Sequence, residues 1–221
     1  MASVKENLIS IKQRITRSAE KVNRNPSDIT LVAVTKTVPI ERIKEAGILG
    51  VSMFGENRVQ EAKTKIPYIN NKIQWRLIGH LQTNKVRDAV NLFDYIDSVD
   101  SIRLAEKIEK RAAQINKVQK ILLEVNISGE EVKYGIDPKD IYFLFERIAD
   151  FKHIQIEGLM TVPPICENKE EVRPYFRKMY QLKKDLGLAL VSMGMSQDFE
   201  IAIEEGSDMV RIGSALFGSR T

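Results

Sequence analysis

The sequence predicts an α/β chain, a single-domain (β/α)8 TIM barrel with an extra N-terminal helix. Three observations lead there. Eight short apolar runs alternate with amphipathic stretches along the 221 residues. Neither a long linker nor a break in composition divides them. Strands that alternate with helices pair in parallel, through right-handed crossovers. An open doubly wound sheet would satisfy the same alternation. The count of eight favours the closed barrel, and a chain this short for the fold requires compact loops. One domain over residues 1–221 is expected.

The elements follow in order. Leu8, Ile11, Ile15, Ala19 and Val22 keep helical spacing, so a first helix is expected over Val4–Val22, ended by Asn25-Pro26-Ser27. The strands are expected at Ile29–Thr35, Val51–Phe54, Trp75–Ile78, Tyr95–Ser98, Lys120–Asn126, Ile154–Leu159, Ala189–Met193 and Asp208–Ile212. Between them fall helices at Ile40–Ala46, Glu56–Lys65, Asn84–Val90, Ser101–Ile115, Ile141–Ala149, Lys169–Leu186 and Phe199–Glu205, with a short closing helix from Ser214.

Composition excludes several classes. Apolar residues make up 43% of the chain, enough for an ordinary core. The net charge of +4 is modest, and the basic residues form no stripe or tail, which does not point to nucleic acid. Cys166 is the only cysteine, so no internal disulfide can form and a reducing compartment is expected. With only His80 and His153 beside it, a structural zinc site is not expected. The polar stretch Met1–Ser10 does not read as a signal peptide, and no apolar run nears membrane-spanning length. The expectation is a cytoplasmic protein with no membrane partner.

In such a barrel, function sits at the C-terminal ends of the strands, and phosphate often binds after the seventh and eighth. Closure also lays the eighth strand beside the first, about 4.8 Å away. Lys36 directly follows the first apolar run. Between apolar walls its ammonium would be partly desolvated, favouring the neutral amine that attacks an aldehyde. Position alone favours a plain solvated lysine. At the far end, Arg211 leads into Gly213-Ser214, and Met193-Gly194-Met195-Ser196 closes the seventh strand in the same way. Glycine permits close backbone approach, and free N–H groups there bind anions, although ordinary strand-to-helix turns look the same. Asn57, Arg58 and His80 fall at two further strand mouths, and Met160-Thr161 at another. Lys133-Tyr134-Gly135 forms a loop that could fold over the site, and Trp75 reads as packing.

Taken together, Ala33-Val34-Thr35-Lys36, Phe54-Gly55-Glu56-Asn57, the run from Ile78 to Lys85, Gly158-Leu159-Met160-Thr161, the run from Ser192 to Phe199, and Arg211-Ile212-Gly213 resemble one family. It is that of the pyridoxal phosphate homeostasis proteins, which are similar to the N-terminal domain of alanine racemase. The resemblance covers nearly the whole chain. It implies a (β/α)8 barrel that holds pyridoxal 5′-phosphate as a Schiff base on Lys36. Arg211 would face the pyridine nitrogen. Met193, Gly194, Ser196, Gly213 and Ser214 would hold the phosphate, and Asn57 and His80 would complete the site. Arg76 stands where the family usually has histidine. The resemblance further implies a protein that buffers and delivers the cofactor, serving vitamin B6 and amino-acid balance. The racemase's second base lies in a β-rich domain that has no counterpart here, so no catalytic residue and no metal are expected. A small amino-acid racemase is the alternative. Expected partners are the cofactor and apo-enzymes that depend on it, with the chain itself a monomer.

Overall fold

A computed structural model describes residues 3–69, 72–130 and 132–218. Its eight strands are β1 (Thr30–Val34), β2 (Met53–Glu56), β3 (Gln74–Leu77), β4 (Tyr95–Val99), β5 (Gln119–Glu124), β6 (Ile154–Met160), β7 (Leu190–Met195) and β8 (Met209–Ile212). They close into one barrel in chain order, every pair parallel. The closing seam sets Ala33 beside Ile212, so both ends of the sequence meet at one rim. The helices are α1 (Val4–Lys21), α2 (Ile40–Ile48), α3 (Val59–Lys65), α4 (Val86–Leu92), α5 (Ile102–Gln114), α6 (Ile141–Ala149), α7 (Arg173–Asp185), α8 (Phe199–Glu204) and α9 (Ser214–Phe217).

The expected barrel forms, and most boundaries fall within two residues of expectation. Two elements move for a visible reason. The second strand runs two residues later than expected because it registers Met53 on Gln74 and Glu56 on Leu77. Glu56, expected to open a helix, is therefore strand, and its carbonyl accepts the Ile78 N–H at 2.9 Å. The helix after it starts only at Val59. The expected helix from Lys169 is also divided, into a 3-10 turn at Lys169–Val172 and then α7. Pro174 sits in the first turn of α7, where its missing N–H costs no hydrogen bond.

Helix α1 lies outside the barrel, against α8, α9 and α2. Ser3 and Glu6 close its N-terminus as a reciprocal capping box. Leu8, Ile11, Ile15 and Ala19 line its buried face. Arg14 forks onto Glu200 with bonds of 3.0 and 2.8 Å and lies over the Phe199 ring. Asn7 Nδ2 donates to the Leu216 carbonyl at 2.9 Å, so α1 also steadies the turn that ends the barrel.

The interior carries charge where such barrels usually carry branched apolar side chains. Arg76 and Asp97 are both buried and joined Nε to Oδ2 at 2.7 Å. The Arg76 guanidinium also lies 3.8 Å over the Tyr95 ring. Arginine thus has an ion-pair partner and a ring to lie on at the position where resemblance led to histidine, though its Nη2 takes no hydrogen bond. Trp75 packs as expected, beside Phe54 in the core.

Candidate functional site

Lys36 lies in the turn that leaves β1. The turn is held on both sides. Lys65 Nζ donates to the Thr35 carbonyl at 2.6 Å, and the Thr37 N–H donates to Glu61 Oε1 at 2.6 Å. Thr37 adopts φ +62°, unusual for a β-branched residue. The Lys36 side chain is exposed and its ammonium takes no partner among the described residues. This corrects the expectation of a lysine walled in by apolar groups. β1 ends at Val34, and the turn carries Lys36 out of the strand.

The two expected anion turns come together. β7 ends in Gly194-Met195, and in the turn that follows, Ser196 Oγ accepts the Ala215 N–H from the first turn of α9 at 3.2 Å. Gly194 has φ +91°, and a Cβ on it would lie 2.5 Å from Ala202 Cβ and 2.9 Å from Phe199 Cα. Only glycine fits there. Asp198 ties the turn from below by accepting the Met195 N–H at 2.6 Å. Burial pushes the Asp198 carboxyl above its ordinary range, against the Met195 N–H and the charge of Arg211. Met193 is buried in the core, its carbonyl taken by Ser207 Oγ at 2.8 Å. Gly213 and Ser214 follow β8, and the N–H of Ser214 takes no backbone or side-chain acceptor among the described residues. Because Ala33 registers on Ile212, Lys36 and Ser214 leave neighbouring strands of the closing seam.

Arg211 spans the mouth. Its Nη1 donates to the Ser192 carbonyl at 2.9 Å and to Ser192 Oγ at 2.7 Å, and its Nη2 reaches past β7 to the Thr161 carbonyl at 2.7 Å. All three acceptors are neutral, and Nε takes none of these bonds. Burial pulls the Arg211 pKa down, while Asp97, Glu124 and Asp198 pull it back. Thr161, at the end of β6, is fully buried and donates its hydroxyl to the Val125 carbonyl at 2.7 Å.

Glu124, the last residue of β5, was not among the expected site residues. It is 8% exposed, and its Oε2 has no hydrogen-bond partner. Burial, then the charge of Asp100, raises its pKa to about 7, with Arg211 opposing and Asp97 adding. The available signal was a carboxylate ending the apolar run Ile121-Leu122-Leu123.

Asn57 and His80 end up on adjacent strand ends. Gly79 packs so closely on Asn57 that a Cβ would lie 2.3 Å from the Asn57 carbonyl oxygen. His80 Nδ1 lies 3.5 Å from Asp100 Oδ2. Tyr134 stacks on the His80 ring, with centroids 3.8 Å apart and planes 12° apart. The 132–135 loop thus leans over the β3 end of the mouth, and Lys133 pairs with Glu130 at 2.6 Å.

The fold and this mouth define a (β/α)8 protein with an exposed amine, a buried arginine and two joined turns suited to an anion. The family model described as "Alanine racemase, N-terminal domain" matches residues 7–221. The chain belongs to that family and, within it, to the pyridoxal phosphate homeostasis proteins. It is 44% identical to the "Pyridoxal phosphate homeostasis protein" of Aquifex aeolicus (strain VF5), over 97% of each chain. The protein of that name from Vibrio alginolyticus is 36% identical, over 100% of this chain and 99% of its own. PipY of Synechococcus elongatus PCC7942, solved with PLP bound, superimposes with a TM-score of 0.87 at 33% identity, covering 98% of this chain and all of PipY. Alanine racemase of Clostridium difficile 630 shares the fold, with a TM-score of 0.72 at 18% identity, over 99% of this chain and 57% of its own.

Proposed function

We propose that the chain, taken as one domain over residues 1–221, binds pyridoxal 5′-phosphate at the barrel mouth. In this reading it buffers and delivers the cofactor rather than using it for catalysis. One observation carries the reading. Arg211 is fixed by three bonds to neutral acceptors with Nε left over, on the strand that ends in the anion turn and lies beside the Lys36 strand. These groups fit the molecule. Lys36 would hold the cofactor through its aldehyde. Gly194, Ser196, Gly213 and Ser214 receive the phosphate, with Met193 fixing the backbone behind them. Arg211 would face the pyridine nitrogen, and Asn57 and His80 would line the opposite rim. When bound, the cofactor supplies an electron-withdrawing ring that acidifies bonds next to an attached amine. A guanidinium holds its proton, so Arg211 would leave the ring nitrogen unprotonated and weaken that withdrawal. The relatives' names support storage over turnover. The delivered cofactor would go to apo-enzymes that depend on it. We further propose a monomer acting in the cytoplasm; no helix among the described residues is long and apolar enough to cross a membrane.

The test is the visible absorption of purified protein mixed with pyridoxal phosphate, followed by borohydride reduction and peptide mapping. The label should fall on Lys36. A Lys36→Ala chain that takes up the same reducible label elsewhere at the parental yield would overturn the assignment. Racemisation of an amino acid at ordinary enzymatic rates would overturn the non-catalytic part and support a racemase.

A further inference from the structure

The turn that carries Lys36 is gripped by a buried ion cluster to which no role has been assigned. Lys65, 7% exposed, joins Glu56 Oε1 at 2.8 Å and Glu61 Oε1 at 2.6 Å. Thr35 Oγ1 donates to the same Glu56 oxygen at 2.6 Å. A cluster that merely tied α3 to the barrel could take backbone groups anywhere along β1 or β2. The ion triad takes two, and they flank Lys36: the Thr35 carbonyl, held by Lys65, and the Thr37 N–H, held by Glu61. Between them the Lys36 ammonium takes no partner among the described residues. Thr37 is also where the backbone is strained, at φ +62°. Such a conformation persists in a β-branched residue only when its surroundings over-determine it. Burial raises the Glu56 carboxyl above its ordinary range, against its bonds from Lys65 and Thr35. Burial tends to raise the Glu61 carboxyl, but the Lys65 ammonium and the Thr37 N–H outweigh it and leave it below its ordinary range.

We propose that Glu61 and Lys65 are positioning residues for Lys36: they clamp the peptide groups on either side of it and so hold its amine where the cofactor aldehyde arrives. The proposal rests on the reading of Lys36 as the attachment point. It gives α3 a function beyond packing, since both clamping side chains lie on that helix, one turn apart.

The test separates capture from binding. Covalent capture of pyridoxal phosphate is followed by stopped-flow absorbance, and non-covalent affinity is measured with pyridoxine 5′-phosphate, which has no aldehyde. Glu61→Gln keeps the shape but removes the charge from the bond to Thr37. Capture should slow about tenfold, the loss expected for one charge-assisted hydrogen bond. Pyridoxine 5′-phosphate should bind as before. Should Glu61→Gln fail to fold, Glu61→Asp keeps the charge beside Lys65, withdraws it from Thr37, and should slow capture in the same way. Parental capture rates in the folded variant would overturn the proposal. So would equal losses of capture and analogue binding, because a general disturbance of the mouth predicts that. Failure of the Lys36 reading shows elsewhere, as a reducible label that survives Lys36→Ala, and it would take this proposal with it.

Discussion

Two residues at the mouth carry costs that mutation can expose. Gly194 combines φ +91° with a Cβ position 2.5 Å from Ala202 Cβ. Gly194→Ala should therefore cost about 3 kcal/mol or more and weaken pyridoxal phosphate binding in step. Urea denaturation and a binding titration check both. Glu124 carries an electrostatic cost. Its carboxyl moves from the ordinary 4.5 to about 7 on folding. A raised carboxyl pKa means the folded state holds the proton more tightly than the unfolded chain. The penalty is absent below pH 4.5, grows up to about 7, and is full above that. It is bounded on the order of 3 kcal/mol. Cofactor-free Glu124→Gln should therefore resist urea better than the parent at pH 8, with the gap closing by about pH 5. A gap independent of pH would show that ionisation of this carboxyl is not the cause.

At the scale of elements, α1 is the piece added to the barrel, and beneath its polar links to α8 and α9 lies a buried apolar face. Ile11 is 1% exposed in the face that packs on α8 and α9. Ile11→Ala should cost about 2–5 kcal/mol, read as a lower urea midpoint. If α1 were only loosely docked, the midpoint would barely move. This helix was legible because its apolar residues keep one period over 18 residues and Asn25-Pro26-Ser27 marks where it stops. The barrel strands were legible as apolar runs, though β2 was misplaced. Its register depends on β3, and Glu56 looks like a helix residue until its carbonyl meets Ile78. The mouth residues were readable because strand ends fall at predictable places. The Glu56–Glu61–Lys65 cluster was not. Its members meet Thr35 and Thr37 only because α3 folds back beside the turn that follows β1, and no local pattern announces that crossing.

For the whole molecule, the notable departure from an apolar barrel is the ion pair in its interior. Arg76 and Asp97 are 1% and 0% exposed, and each leaves one atom, Nη2 and Oδ1, without a partner. Two charges removed from water are repaid only by excellent geometry and full hydrogen bonding, and here the bonding is incomplete. The pair therefore adds little net stability, while each partner alone would be a severe liability. Arg76→Met should cost about 3–5 kcal/mol by stranding the Asp97 carboxylate in the barrel. Arg76→Met with Asp97→Leu should recover most of that loss, because neither charge is then buried. The pair's field also reaches the mouth, since Asp97 raises the Glu124 pKa and supports the Arg211 charge. The double variant should thus be stable yet shift Glu124 downward, lowering the pH at which the gain from Glu124→Gln levels off and shrinking that gain. Urea denaturation across pH for the parent, the single and the double variants reads both effects. A double variant as unstable as the single one would show that the interior depends on the shape of these side chains and not on their charge.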